Sequence, residues 1–217
     1  MKIAINKAHF PVTVLGPGRR IGIWFQGCAI RCPGCVSQDT WTPRPDREIS
    51  IAKLVSWCRE TSRNALDGIT LSGGEPFDQP KALSALLDAL RQWNISDGLS
   101  MDILCYSGYS FNTLQQRHAR LLKKLDALIP EPFVHTLPLT HLWRGSKNQP
   151  LLTLSPLGEE RYAPYLEAKA EDFDKRIQIQ VDGDRLWCIG IPGRDDMTRL
   201  EASVTARGIG FSEVSWR

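Results

Sequence analysis

The chain has 217 residues, of which 42% are hydrophobic and 24% charged, and its net charge is +3. This composition is typical of a globular protein that buries its own core, and it excludes disordered and fibrous classes. The lysines and arginines are scattered, and no apolar run approaches the ~20 residues that span a bilayer. We therefore expect a cytoplasmic protein that contacts neither nucleic acid nor membrane.

Predicted strands and helices alternate along most of the chain. Apolar runs with β-branched residues predict strands, and leucines at helical spacing after Ser50 or Pro80 predict helices. In chain order we predict a strand over 21–26, a helix over 50–60, a strand over 69–72, a helix over 80–93, a strand over 101–106, a helix bearing Leu114, Leu121, Leu122 and Leu125, and a strand over 127–129. The alternation predicts an α/β fold with a mainly parallel sheet, either open or curled into a barrel.

The pattern changes after about residue 155. Short apolar runs over 176–181 and 186–191 flank Asp182-Gly183 and predict a hairpin, and 197–206 predicts a closing helix. We therefore predict a core domain over 1–155 and a small hairpin-helix appendage over 156–217 that packs on the core.

Two unusual loops each follow a predicted strand. One carries Cys28, Cys32 and Cys35, and the other is the segment GGEP at 73–76. In parallel sheets the working loops lie at the carboxyl ends of the strands, so these two loops can meet at one mouth. The sequence therefore predicts a single functional site built from both.

The cysteines do not form the pattern of a disulfide framework, because three crowd into 28–35 while Cys58, Cys105 and Cys188 stand alone. Three thiolates on a four-iron cluster leave one iron open for a chelating ligand. A zinc site would need a fourth histidine or cysteine, and none follows nearby. An iron-sulfur cluster is favoured, with zinc and inert or redox-active thiols as the alternatives.

The CxxxCxxC spacing and the segment LSGGEP at 71–76 together resemble the signature of the radical S-adenosylmethionine (SAM) superfamily. The resemblance implies a partial (β/α) barrel, a [4Fe-4S] cluster and bound SAM, with main chain around two glycines receiving the amino group of SAM. The implied catalytic and metal-binding residues are Cys28, Cys32 and Cys35. The implied cofactor contacts are Gly34, Ser72, Gly73, Gly74, Glu75, Tyr106, Ser107, Arg144 and Ser146.

Further segments are similar to the activating enzymes of glycyl-radical proteins, in particular to activators of anaerobic ribonucleotide reductase. These segments are GPGR at 16–19, FQGC at 25–28, DTW at 39–41, YSGY at 106–109 and RGSKNQ at 144–149. The chain departs from the group at Val36-Ser37, where His-Asn is common, and at Pro130-Glu131-Pro132 before Phe133, where Asp-Gly is common.

The resemblance implies reductive cleavage of SAM to a 5′-deoxyadenosyl radical that removes a hydrogen atom from a glycine of a partner protein, with an electron donor such as flavodoxin or ferredoxin. Because of the departures, a radical SAM enzyme that modifies a small metabolite or peptide remains the alternative. A non-catalytic iron-sulfur or zinc-binding module would leave the GGEP loop without a purpose.

The remaining polar and aromatic residues suggest structural roles. The RGSKNQ loop could contact SAM or a partner, or could hold itself together by hydrogen bonds. Asp102 and Asp126 could make a cation or polar contact near a strand, but we favour solvated or capping carboxylates. Trp41 could cover the cysteine loop or fill the core, and we favour the core. The lone cysteines are expected to be packed thiols.

Overall fold

The computed structural model of the protein describes residues 1–172 and 177–216. Within those residues, no helix has both the length and the apolar character needed to cross a membrane. The strands are β1 (Lys2–Val12), β2 (Arg20–Phe25), β3 (Glu48–Ser50), β4 (Gly68–Gly73), β5 (Asp102–Tyr106), β6 (Ala127–Ile129), β7 (Leu152–Thr153), β8 (Ile177–Asp182) and β9 (Arg185–Gly190). The helices are α1 (Ile51–Ser62), α2 (Pro80–Ser96), α3 (Phe111–Leu122), α4 (Pro156–Tyr162) and α5 (Asp196–Thr205).

The main sheet has the strand order β3-β1-β2-β4-β5-β6-β7. Strands β2, β4, β5 and β6 are parallel, while β1, β3 and β7 are antiparallel to their neighbours. The four parallel strands are those predicted from the sequence, so the expectation of an α/β fold with a parallel-rich sheet is confirmed.

Helices α1 to α3 cover the sheet with the apolar faces that their spacing predicts. The Ser50 hydroxyl accepts a hydrogen bond from the Lys53 amide and caps α1 as expected. Helix α2 buries its leucines and Trp93, and α3 buries Leu114 against the same core. Burial of these faces is the main source of stability for helices of this length.

The sequence did not predict β1, β3, β7 or α4. In β1 the buried Ile3 and Ile5 alternate with exposed or half-buried residues, but the alternation is short and Pro11, a residue that is uncommon inside strands, lies near its end. Strands of two or three residues, such as β7 and β3, carry too little periodicity to detect.

Ion pairs close the amino ends of the parallel strands. Arg20 opens β2 and pairs with Asp102, which opens β5, at 2.5 Å, and both side chains are 0% exposed. The Tyr162 hydroxyl donates to Asp102 at 2.5 Å, and Arg161 reaches the same carboxylate at 3.2 Å. The expectation of a solvated or capping role for Asp102 is therefore wrong.

Asp126, which precedes β6, is buried in the same manner. Its carboxylate pairs with Arg91 of α2 at 2.7 Å and accepts a hydrogen bond from the Ile103 amide at 2.7 Å. The solvated or capping role expected for Asp126 is also wrong, because two elements of the core share this carboxylate.

After α4, strands β8 and β9 pair antiparallel through the turn at 183–184, and α5 follows them. The predicted first strand of this hairpin began at Arg176, which lies outside the described residues. Cys188 lies half-buried in β9, whereas Cys58 and Cys105 are fully buried.

Candidate functional site

Three loops meet where the parallel strands end. Strand β2 ends at Phe25, two residues before Gly27 and the cysteine loop, β4 ends at Gly73, and β5 ends at Tyr106. Parallel register places these ends side by side, since Phe25 is opposite Gly73 in the ladder. The structure therefore brings together the two loops that the sequence singled out.

Glycine is required where the loop after β4 crosses the start of the cysteine loop. The Gly74 amide donates to the Phe25 carbonyl at 2.9 Å, and the Glu75 amide donates to the Gly27 carbonyl at 2.8 Å. A Cβ on Gly74 would lie 2.2 Å from the Gly27 oxygen, and Gly73 has φ of +100°. Any larger residue would push the two loops apart.

Glu75 joins the loop after β4 to the loop after β5. Its carboxylate accepts hydrogen bonds from the Ser107 hydroxyl at 2.9 Å, the Gly108 amide at 2.7 Å and the Phe77 amide at 3.0 Å. Burial raises the pKa of Glu75 to about 7, although these three donors act in the opposite direction. The residue therefore links two walls of the site through neutral donors.

The cysteine loop is held by main-chain and carboxylate contacts. The Cys35 amide donates to the Cys32 carbonyl at 3.1 Å, and the Ala29 amide donates to Asp78 at 2.8 Å. Burial raises the pKa of all three thiols, those of Cys28, Cys32 and Cys35.

A cavity of about 200 Å³ lies between the loops. Every predicted metal-binding residue and most predicted cofactor contacts line it, namely Cys28, Cys32, Cys35, Gly34, Ser72, Gly73, Gly74, Glu75, Tyr106 and Ser107. One concave site thus collects side chains from three separate loops.

Arg144 and Ser146 do not line this cavity. The Arg144 guanidinium donates to the Leu166 carbonyl, and the Ser146 hydroxyl donates to Asn148 at 2.7 Å. Gln149 accepts from the Gly145 amide at 2.9 Å and donates to the Glu131 carbonyl at 2.8 Å. Hydrogen bonds within the loop and to Glu131 and Leu166 hold it in place, and Gly145 and Gln149 of this loop line the cavity. The cofactor contacts of Arg144 and Ser146 stay predictions.

The donor set in the cavity fits an iron-sulfur cluster. Three thiols line it, and thiolates are the usual ligands of such clusters. Over residues 1–172 and 177–216, no three His, Cys, Asp or Glu side chains lie close enough to share one metal ion.

Several residues of the cavity wall were not predicted from the sequence. Trp24 and Phe133 line it, as does Trp41, which is half-buried, so the expectation that Trp41 fills the core is wrong. The apolar alternation of β2 could have indicated Trp24, because it lies on the face opposite Ile23 and Phe25. Ile191 and Pro192 also line the cavity, and no motif pointed to them.

Comparison with known proteins places this site in a family. Residues 14–152 match the family described as "4Fe-4S single cluster domain". The chain is 31% identical over 138 residues to an anaerobic ribonucleoside-triphosphate reductase-activating protein of Enterobacteria phage T4, covering 64% of this chain and 86% of that protein. The corresponding protein of Vibrio cholerae is 32% identical over 147 residues, covering 65% of this chain and 92% of that protein.

A more distant relative is a pyruvate formate-lyase-activating enzyme of Clostridium pasteurianum, 29% identical over 118 residues, which cover 52% of this chain and 45% of that enzyme. Among solved structures, QueE from Escherichia coli aligns with a TM-score of 0.39 and 18% identity, covering 51% of this chain and 54% of that one. A structural likeness at this level carries no weight for the function.

Proposed function

The chain belongs to the 4Fe-4S single cluster domain family, within the radical SAM superfamily, and from that membership we propose that it activates a glycyl-radical protein of the anaerobic ribonucleotide reductase type. The observation that carries the proposal is the cavity in which the three cysteines meet the loop after β4. The names of its relatives support a protein substrate rather than a metabolite.

We propose that Cys28, Cys32 and Cys35 hold the [4Fe-4S] cluster and leave one iron open for SAM. When bound, these groups supply the chemistry: one electron from a donor such as flavodoxin or ferredoxin cleaves a carbon-sulfur bond of SAM, giving methionine and a 5′-deoxyadenosyl radical that takes a hydrogen atom from a glycine α-carbon. The protein itself binds these groups, orients the glycine of the partner and shields the site from water.

The residues of the chain support these tasks in different ways. Gly73 and Gly74 allow main chain to approach a bound amino group closely, and Ser72 lies beside them in the cavity. Glu75 fixes the distance between the loops after β4 and β5 through its three hydrogen bonds. Apolar walls such as Trp24 and Trp41 exclude water that would compete for a reactive species.

The same proposal includes an architecture and a location. We propose a partial barrel over residues 1–155 with an appendage over 156–217, although α4 just past that boundary contacts Asp102 of the core through Arg161 and Tyr162. The free thiols support a cytoplasmic location, because thiols persist in a reducing compartment.

The test is anaerobic reconstitution with iron and sulfide, followed by reduction with SAM present and assay of 5′-deoxyadenosine. We expect release from the natural chain and none from Cys32→Ala, because two thiolates cannot hold the cluster. Cys188→Ala, which removes a half-buried thiol outside the loop, is the matched control and should retain release.

A second measurement separates an activating enzyme from one that modifies a small molecule. Incubation with a purified anaerobic ribonucleotide reductase should generate a stable glycine-centred radical signal in electron paramagnetic resonance. Release of 5′-deoxyadenosine with a modified small product and no such signal would contradict the proposed partner.

A further inference from the structure

The C-terminal part of the chain contributes to the cavity although it lies outside the family match, which ends at residue 152. Gly190, Ile191 and Pro192 line the cavity together with the cysteine loop. Gly190 ends β9, so the hairpin carries these three residues to the site. The appendage therefore forms one wall of a site whose other walls belong to the matched region.

The hairpin is anchored firmly beside this wall. Ile189 is 3% exposed and packs in one apolar cluster with Val12 and Trp24 of the main sheet. Gln178 of β8 donates to the Pro11 carbonyl at 2.7 Å and accepts from the Thr13 amide at 3.2 Å. Ile191 packs against the same cluster, so the wall rests on the core rather than on a free loop.

A second anchor joins the C-terminal tail to the chain just after Cys35. The Gln38 amide donates to the Ser215 carbonyl at 2.7 Å, and the Gln38 side chain donates to the Trp216 carbonyl at 3.0 Å. The Ser215 hydroxyl donates to the Val36 carbonyl at 2.8 Å. The appendage thus reaches the site at two points, the cavity wall and the base of the cysteine loop.

We propose that Ile191 and Pro192 are specificity-determining residues that narrow the cavity, so that a slender main-chain segment reaches the cysteine loop and bulky groups do not. This rests on the proposed function, because the slender segment is the glycine-bearing stretch of the partner protein. A glycine and small neighbours present almost no side-chain volume to this wall.

The chemistry and support of this wall favour this role. The wall at 191–192 is apolar, and Ile191 packs against the cluster that contains Val12 and Trp24. An apolar wall of this kind discriminates by volume, and a few methylene groups change a rate by about tenfold or more.

The first test measures access to the cluster without any turnover. The cluster-loaded full chain is mixed, without oxygen or SAM, with phenanthroline or with its bulkier diphenyl derivative, and iron release is followed by absorbance. Ile191→Ala should speed extraction by the bulky chelator about tenfold and extraction by phenanthroline less than twofold. Ile191→Val should lie between, and Ile179→Ala, at a position 51% exposed in the same hairpin, should match the natural chain.

The unfolding midpoint of each variant is compared with that of the natural chain. This comparison shows whether faster iron release follows from a wider cavity or from a general loss of stability. Equal acceleration for both chelators, or acceleration for neither, would overturn the proposal.

A second test uses peptides with one central glycine flanked by alanines or by phenylalanines. Ile191→Ala should shift the ratio of kcat/KM for peptide-dependent 5′-deoxyadenosine formation about tenfold toward the phenylalanine peptide. An altered KM for SAM with an unchanged peptide ratio would overturn the proposal, because the wall would then border the cofactor. If the chain discriminated between chelators by size but released no 5′-deoxyadenosine, the proposed function would be refuted. The role of Ile191 in narrowing the cavity would still be supported.

Discussion

The two ends of the parallel strands each bury a carboxylate and surround it differently. Asp102 at the amino ends is 0% exposed and faces two guanidinium groups, those of Arg20 and Arg161. Glu75 at the carboxyl ends is 1% exposed and receives only neutral donors, two amides and a hydroxyl. The burial of Asp102 is compensated by cationic partners, whereas the burial of Glu75 is compensated by hydrogen bonds from neutral groups alone.

This difference indicates that the fold places its stabilising contacts at the amino ends of the strands and its functional site at the carboxyl ends. A buried carboxylate with cationic partners ties elements together through ion pairs, whereas the one with neutral donors remains near its titration point, as the pKa of about 7 for Glu75 indicates. In βα folds the end carrying the carboxyl termini of the strands hosts function, and the opposite end hosts stabilising contacts. The substitutions below test whether stability and activity divide in this way.

The largest effect on stability is expected from Arg20→Met. Removing one partner of a buried ion pair costs about 3–5 kcal/mol, and the lower part of that range applies because Arg161 still contacts Asp102. Urea unfolding should show this loss, while 5′-deoxyadenosine release per folded, cluster-loaded chain should stay unchanged. Arg44→Met removes an exposed pair with Asp46 and should leave the unfolding midpoint where it is.

If Arg20→Met lowered turnover per folded chain and left the unfolding midpoint unchanged, the assignment of stability to the amino ends of the strands and of activity to the carboxyl ends would be wrong.

A smaller effect, with a distinctive pH dependence, is expected at Glu75. Its folded-state pKa of about 7 lies above the ordinary value of 4.5, so the folded chain binds this proton more tightly than the unfolded chain does. The contribution of Glu75 to the free energy of unfolding therefore falls as pH rises from 4.5 to 7, by roughly 3 kcal/mol in total, and is constant on either side. In Glu75→Gln the free energy of unfolding should no longer show this decrease between pH 4.5 and 7, because glutamine does not titrate.

The measurement is the free energy of unfolding of both chains in reducing buffer at several pH values between 4 and 8. Glu160→Gln, at an exposed position of α4, is the control and should run parallel to the natural chain. If the curve of Glu75→Gln also ran parallel to that of the natural chain, Glu75 would not titrate in this window.

The sequence predicts the cysteine end of the molecule better than the amino end, for a physical reason. Cys28 to Cys35 and Gly73 to Pro76 are local motifs, and the predicted strands before them fix where they meet. Each loop therefore carries its own signal, and parallel strand order supplies the rest.

The amino-end network depends on contacts that no local pattern contains. Arg20 and Asp102 are 82 residues apart, and Tyr162 comes from a helix that was not predicted. A single aspartate before a strand looks solvated until its partner is known, which is why the expectations for Asp102 and Asp126 were wrong. The cavity wall at 191–192 could not be predicted from the sequence for the same reason. The hairpin packs on the core through contacts of Gln178 and Ile189 with β1, which are distant in sequence.

The smallest expected effects come from two tyrosines that make the same kind of hydrogen bond at opposite ends of the strands. The Tyr162 hydroxyl donates to the Asp102 carboxylate at 2.5 Å, and the Tyr106 hydroxyl donates to the neutral Trp143 carbonyl at 2.8 Å. Because bonds to charged groups contribute more, Tyr162→Phe should cost about 2 kcal/mol of unfolding free energy and Tyr106→Phe about 1 kcal/mol. Equal losses would mean that the guanidinium partners of Asp102 already satisfy its charge, and that the amino end owes its stability to packing around the network.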